Sequence, residues 1–433
     1  MKKMWKGNHA IAEAAMRAGC EFYAGYPITP QTEIAAYMAK RMPKIGGVFL
    51  QAESEIAAIN MVYGVASTGK LAMTSSSSPG IALKCEGISY LAGADLPALI
   101  VNVQRGGPGL GGIQPSQSDY FLATRGPGHG DFHVLVLAPA SVQEMADLTQ
   151  KAFRLAFEYR MPAMLLADGT MGQMMEPVVL PEETVLEKSA PDWAVTGTEC
   201  KRPHNIINSL YMDPEECDRH NDHLAEKYAL MEKNEVRWSE TEGEDAEIVI
   251  TAYGTPARIA LTALETLRAE GLKVGLFRPI TLWPFPEEAL RKLSKADHVK
   301  AFLDVEMSST GQMIDDVRLA VEGQKPVKFA GCAGGRIPSV EEIVEAALRR
   351  SGEWAGLDAA ETGNAPDGAY RYALYEAHGA ARVPYAYGIL GQQRLDGEWK
   401  TVAMIAPFSN DSAATAHLAR LCTGQQLEPI HIL

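Results

Sequence analysis

Between residue 7 and about residue 180, short apolar stretches alternate with helical ones, and this rhythm constrains the fold of the 433-residue chain more than any other feature. Strands that alternate with helices pair side by side and parallel, with the helices covering both faces. The predicted strands are EFYAGYP, GGVFLQA, LAMTSS, ALIVNV, HVLVLAP and PAMLLADG. Several end in polar or glycine residues, and in open α/β sheets the carboxyl ends of the strands form the binding crevice. The expected fold class is therefore α/β, with a first domain over residues 1–190.

The rhythm breaks over residues 191–245, where a loop precedes the charged helix PEECDRHNDHLAEKYALMEKNEVRW, read as a linker arm with a solvated face. It resumes at AEIVITAYGTPARIALTALETLRAEG and continues through KVGLFRPI, VKAFLDVE and VKFAGCAG, giving a second parallel α/β domain over 246–350. Residues 351–433 open with SGEWAGLDAAETGNAPDGA, a composition that reads as a flexible linker. They continue as a small α+β extension: a hairpin of YAYGILGQQ and WKTVAMIAPF around LDGE, then a helix over SAATAHLARLCTG.

Charge and cysteine usage restrict the chemistry. The formal net charge of -14 argues against a nucleic-acid partner, which needs concentrated Lys and Arg. No apolar run reaches the roughly 18 to 20 residues that span a bilayer, and MKKMWKGNHA lacks the apolar core of a signal peptide. A cytoplasmic protein without membrane attachment is expected. The six cysteines are scattered and form no C-x-x-C pair, so neither a metal site nor an iron–sulfur cluster is expected on this chain.

Four strand-end segments carry the candidate site. In GYPITPQTEI the prolines push Tyr26 and Thr29 into extended backbone, so Thr29 reads as an N-cap and Pro30 as the first helical residue. Glu55 in QAESEIAAIN begins an apolar helix, and a carboxylate against Ile, Ala and Met has a raised proton affinity unless it is paired. In MTSSSSPG, Ser78 precedes a proline and reads as another N-cap. Arg105 opens RGGPGLGGIQPSQSD, whose five glycines and two prolines make a rigid pedestal for a guanidinium that can clamp a carboxylate. That loop matches neither the P-loop nor the dinucleotide fingerprint.

YPITPQTE, QAESEIAAINM, MTSSSSPGI and RGGPGLGGIQPSQSDY, in this order and spacing, resemble the α subunit of 2-oxoacid:ferredoxin oxidoreductases, most closely the branched-chain (2-oxoisovalerate) type. The similarity spans roughly residues 1–350. It implies a first domain like the pyrimidine-binding domain of thiamine diphosphate enzymes and a second like the transketolase C-terminal domain. The activity it implies is oxidative decarboxylation of a branched-chain 2-oxoacid, 3-methyl-2-oxobutanoate, with coenzyme A and ferredoxin, giving acyl-CoA and carbon dioxide. A different 2-oxoacid such as 2-oxoglutarate, or a non-catalytic α/β scaffold subunit, is the alternative.

The resemblance also assigns roles. Glu55 matches the glutamate that hydrogen-bonds the aminopyrimidine ring, favouring the tautomer that removes the thiazolium C2 proton. Thr29 and Arg105 match residues that hold the 2-oxoacid, and Tyr26, Pro27, Ile28 and Ser77 fall in the cofactor-contacting segments. The G-D-G…Asn motif that binds magnesium and diphosphate is missing, since Asp168 and Gly169 have no suitably spaced Asn after them. The resemblance therefore implies a β subunit holding magnesium and diphosphate. It also implies γ and ferredoxin-like subunits, with the iron–sulfur clusters on the ferredoxin-like subunit or another partner. Family chains usually end near GGRIPSVEEIVEAAL, so residues 351–433 are an extension of unassigned role.

Overall fold

The computed structural model describes residues 2–180, 182 and 190–348, with strand segments at 370–376, 387–395 and 398–409. The chain divides into two units, Met1–Val344 and Glu345–Leu433. In the first, a strand β1 (Lys3–Lys6) leads into α1 (Gly7–Arg17), followed by β2 (Phe22–Gly25), α2 (Thr32–Arg41), β3 (Val48–Gln51) and α3 (Glu55–Ala66). Then come β4 (Ala72–Ser76), α4 (Ser78–Gly93), β5 (Ala98–Gln104), α5 (Tyr120–Thr124), β6 (Leu135–Leu137), α6 (Val142–Tyr159) and β7 (Pro162–Asp168). A short α7 (Gly169–Gln173) and β8 (Met175–Val178) precede the long α8 (Pro214–Asn234).

The predicted strands all form and share one seven-stranded sheet, completed at its edge by β12 (Thr281–Trp283), in the order β12-β6-β7-β5-β4-β2-β3. Every neighbour from β6 to β3 is parallel. The central strands β4, β5 and β7 are buried at every position, as strands covered by helices on both faces must be. Their near-continuous apolar runs are what made them visible in the sequence. The helices start where side chains supply the missing acceptors: Ser141 Oγ accepts from Glu144 N (3.1 Å) at α6, and Ser54 Oγ accepts from Ala57 N (3.1 Å) at α3.

The second alternating stretch contributes β9 (Trp238–Thr241), β10 (Ile248–Thr251), α9 (Gly254–Ala269), β11 (Val274–Pro279), β12 (Thr281–Trp283), α10 (Glu287–Ser294), β13 (Ala301–Glu306), α11 (Met313–Val321) and β14 (Val327–Gly331). Five of these strands form a sheet of order β14-β13-β10-β11-β9, parallel except for the edge strand β9. The remaining strand, β12, leaves this sheet and adds antiparallel to β6 at the edge of the first. The stretch 191–245, predicted to hold only loop and helix, thus also supplies the strand β9. Its helix α8 buries Leu224, Tyr228 and Met231 in the main core cluster, and Tyr228 meets Trp283 edge to face at 5.4 Å between ring centroids.

The loop before α5 fastens to the second sheet by side-chain amides. Gln117 Nε2 donates to the Tyr253 carbonyl (2.9 Å) while its Oε1 accepts from Met307 N (2.9 Å). Gln312 accepts from Phe121 N (2.8 Å) and donates to the Ser118 carbonyl (2.8 Å). Such doubly satisfied amides fix one arrangement, because at the fully buried Gln117 leaving either partner unpaired costs about 1 to 3 kcal/mol.

In the second unit β15 (Tyr370–Glu376), β16 (Tyr387–Leu395) and β17 (Glu398–Ser409) form a three-stranded antiparallel sheet. The predicted hairpin is its β16–β17 pair, closing at Leu395 opposite Glu398. The predicted linker 351–369 and the helix over SAATAHLARLCTG lie outside the described residues. Among the described residues no helix is long and apolar enough to cross a membrane.

Candidate functional site

At the carboxyl ends of β2, β4 and β5 the chain leaves the sheet and borders an open cavity of about 450 Å³. Tyr26, Pro27, Ile28, Thr29, Thr32, Glu55, Pro79, Gly80, Leu83, Arg105 and Leu110 line it. Six of the seven residues singled out from sequence therefore meet in one place. The exception is Ser77, which is fully buried at the N-cap position of α4, with an Oγ that has no hydrogen-bond partner, and does not line the cavity.

Two local expectations are corrected here. Thr29 does not cap α2: the helix starts at Thr32, and the N-cap position belongs to Gln31, which makes no side-chain capping bond. Pro30 accordingly lies before the helix instead of at its first position. Gln31 is fully buried, and its Oε1 accepts from Ser75 Oγ (2.6 Å), so a tertiary bond displaces the cap expected from spacing alone. Thr29 is exposed at the cavity, and its carbonyl accepts from Arg105 Nη1 at 3.1 Å. Likewise Ser78 is the first residue of α4, not its cap. Its Oγ accepts from Arg105 N (3.0 Å) and donates to Asp119 Oδ2 (2.5 Å).

Glu55 opens α3 and is only 7% exposed. Among the described residues its carboxylate has no hydrogen-bond donor, so the group faces the cavity with its acceptor capacity free. The wall opposite is a glycine for a physical reason. A Cβ on Gly80 would collide with Ser76 Oγ and stand 2.7 Å from Glu55 Oε1.

Arg105 is 8% exposed, and its guanidinium is held from two sides: Nη1 on the Thr29 carbonyl and Nη2 on the Leu110 carbonyl at 2.9 Å. Its Nε is buried without a partner. The glycine loop does form a pedestal. Gly106 N donates to the Gln114 carbonyl (2.9 Å), Gly112 N to the Gly106 carbonyl (2.9 Å), and Gly111 sits at φ +58° where any side chain would overlap that carbonyl.

Behind this pedestal stands Asp119, which sequence reading missed. Buried, it accepts from Ser78 Oγ and from Asn102 Nδ2 (2.9 Å), and burial pushes its proton affinity up while these two bonds pull it down. It thereby ties the backbone of Arg105 to the start of α4. The neighbouring Gln117 and Ser118 are the residues fastened to the second sheet, so that sheet steadies the arginine loop. Asp168, the remnant of a possible metal motif, is fully engaged elsewhere. Its Oδ1 caps α7 through Thr170 N (2.9 Å) and Met171 N (3.1 Å), and its Oδ2 accepts from Thr255 Oγ1 (2.7 Å).

The cavity thus brings together a shielded carboxylate with no internal donor among the described residues, a guanidinium clamped by two carbonyls, and an apolar wall. Comparison with known proteins identifies the family. Residues 13–238 match the family model described as pyruvate flavodoxin/ferredoxin oxidoreductase, thiamine diphosphate-binding, and residues 246–343 match pyruvate:ferredoxin oxidoreductase core domain II. A ketoisovalerate oxidoreductase subunit VorB from Methanothermobacter thermautotrophicus is 51% identical over 343 residues, covering 79% of this chain and 96% of the relative. A 2-oxoglutarate synthase subunit KorA from Methanocaldococcus jannaschii is 36% identical, covering 79% and 98%. Among solved structures, 2-oxoglutarate:ferredoxin oxidoreductase from Magnetococcus marinus, with 2-oxoglutarate, coenzyme A and succinyl-CoA bound, superposes with a TM-score of 0.71 at 28% identity. That match covers 80% of this chain and 65% of the other, so the chain spans just under two thirds of its length. The chain belongs to the 2-oxoacid:ferredoxin oxidoreductase family, as a subunit with its thiamine diphosphate-binding domain and core domain II.

Proposed function

We propose that the chain is the α subunit of an enzyme that oxidatively decarboxylates a branched-chain 2-oxoacid, 3-methyl-2-oxobutanoate, to acyl-CoA and carbon dioxide. The electron pair released goes to ferredoxin. The observation that carries this reading is the cavity that Glu55 and Arg105 share, a carboxylate without an internal donor beside a guanidinium clamped by two carbonyls. A carboxylate lacking an internal donor and opening into a cavity partly lined by apolar side chains fits an aminopyrimidine. Thiamine diphosphate, when bound, supplies the carbanion that attacks the keto carbon and accepts the electrons of decarboxylation. On this reading Glu55 exchanges a proton with the pyrimidine ring nitrogen. Tyr26, Pro27 and Ile28 wall the ring, and Arg105 orients the 2-oxoacid carboxylate beside Thr29.

The substrate class follows from the lining. Ile28, Leu83 and Leu110 give apolar surface, and among the described lining residues Arg105 is the only cation. A monocarboxylic branched substrate meets both features, whereas a dicarboxylic one would bring a second charge that this chain leaves unpaired. Asp168 has both oxygens committed, which supports the expectation that magnesium and diphosphate are held on a β subunit, the active site lying between the two chains.

Acyl-CoA formation from a panel of 2-oxoacids by the reconstituted complex tests the proposal. Preference for 3-methyl-2-oxobutanoate supports it, preference for 2-oxoglutarate transfers it to the alternative substrate, and no turnover with any 2-oxoacid leaves the scaffold reading. Gly80→Ala probes the ring's place: its methyl pushes on Glu55, and about tenfold weaker thiamine diphosphate retention is expected from the 1 to 3 kcal/mol typical of overpacking. Unaltered retention with an unaltered fold would separate Gly80 from the coenzyme.

A further inference from the structure

Helix α4 packs against α3 through small residues. A Cβ at Gly87 would lie 2.5 Å from Ile59, and one at Gly80 would press on Glu55. Between these two glycines on the same face of α4 stands Lys84, with no exposed surface at all. Its ammonium donates to the Glu55 backbone carbonyl at 3.4 Å, and among the described residues it makes no ion pair. A buried cation with one long hydrogen bond costs stability, and replacing such a group by an apolar side chain is commonly neutral or stabilising. Its place in the molecule therefore calls for another explanation, and what it stands beside is Glu55.

We propose that Lys84 is a positioning residue whose buried positive charge, fixed on the Glu55 backbone carbonyl, sets how tightly the glutamate and the bound aminopyrimidine share a proton. This inference rests on the reading of Glu55 given above. The other ionisable groups around α3 are accounted for. Tyr23 on β2 is bonded to Ser75 Oγ (2.7 Å), and β4 and β5 carry no ionisable side chain. On α4, Glu86 is exposed and bonded by Tyr90 Oη (2.6 Å), while Cys85 donates to the Ile81 carbonyl (3.4 Å). Tyr63 is half-buried on α3 itself, Glu53 is exposed before it, and Arg105 lies in the cavity with both terminal nitrogens on carbonyls. Asp168 at the end of β7 is engaged by Thr255. Lys84 is thus the one of these groups buried against Glu55. Burial draws its ammonium down to about 8, with the Glu55 charge opposing that fall.

The test compares the assembled, thiamine diphosphate-loaded complex carrying Lys84→Met, Lys84→Gln or Lys84→Arg with the unaltered one. Near-ultraviolet circular dichroism reports the pH at which the bound aminopyrimidine passes from its protonated to its neutral form. A nearby positive charge lowers proton affinity, so the Met and Gln variants are expected to raise that midpoint by about one pH unit, a tenfold change, or more. The Arg variant should keep it near the original value, and the Met complex should be at least as heat-stable as the original. An unmoved midpoint in Met, an original midpoint in Gln, or failure of both uncharged variants to assemble would overturn the proposal. Glu55→Gln separates the two readings. If it leaves the coenzyme signal intact, the Glu55 reading itself fails. If it alters the signal while Lys84→Met does not, only the role of Lys84 falls.

Discussion

Glu55→Gln is expected to lower 2-oxoacid-dependent reduction of a low-potential acceptor by about a thousandfold or more while the complex still assembles. The amide matches the carboxylate in size but can neither take up nor give back a proton near neutral pH, and a positioned acid–base group typically accounts for a factor of about 10² to 10⁴. The geometry predicts little structural cost. The Glu55 side chain opens into the cavity, caps no helix, and among the described residues receives no hydrogen bond that the amide would break. Turnover with a panel of 2-oxoacids, measured alongside subunit stoichiometry by light scattering, checks both halves. Turnover near that of the unaltered complex would remove the proton-exchange role from Glu55.

How much of this arrangement could be read from the residues depends on whether the deciding contacts are local. Strands β4, β5 and β7 were legible because burial on both faces leaves continuous apolar runs. Strand β12 was not. It spans three residues between prolines, and it pairs with β6, some 140 positions earlier, which no local pattern encodes. Leu224, Tyr228 and Met231 recur at helical spacing along α8, but the surrounding charge obscured the stripe that packs beside Trp283. Within the site, Glu55 and Arg105 stood out by residue type against an apolar or glycine-rich background. Thr29 was found for the wrong local reason. A capping hydroxyl was expected, whereas its carbonyl anchors the arginine and Gln31 takes the N-cap position through a bond to a different strand. Asp119 and Lys84 gave no signal, because each matters only through a residue distant in sequence.

Arg105→Ala is expected to raise the KM for the 2-oxoacid by about a hundredfold, with a smaller loss in kcat. Hydrogen bonds to charged groups contribute about 1.5 to 3 kcal/mol, and each 1.4 kcal/mol is a factor of ten in affinity. The arginine is well suited to such a contact because its conformation is set before any ligand arrives. Two carbonyls hold Nη1 and Nη2, Ser78 and Asp119 hold its backbone, and the unpartnered Nε keeps one buried donor unsatisfied. Because the guanidinium is already ordered, binding an anion requires little reordering. Arg105→Lys discriminates between charge and shape. An ammonium keeps the charge but lacks the planar fork that spans the Thr29 and Leu110 carbonyls, so the clamp loosens although the charge stays. If charge alone mattered, Lys would restore the KM. With a geometric clamp, Lys restores only part of it, and an unchanged KM in Arg105→Ala would remove the 2-oxoacid carboxylate from this residue altogether.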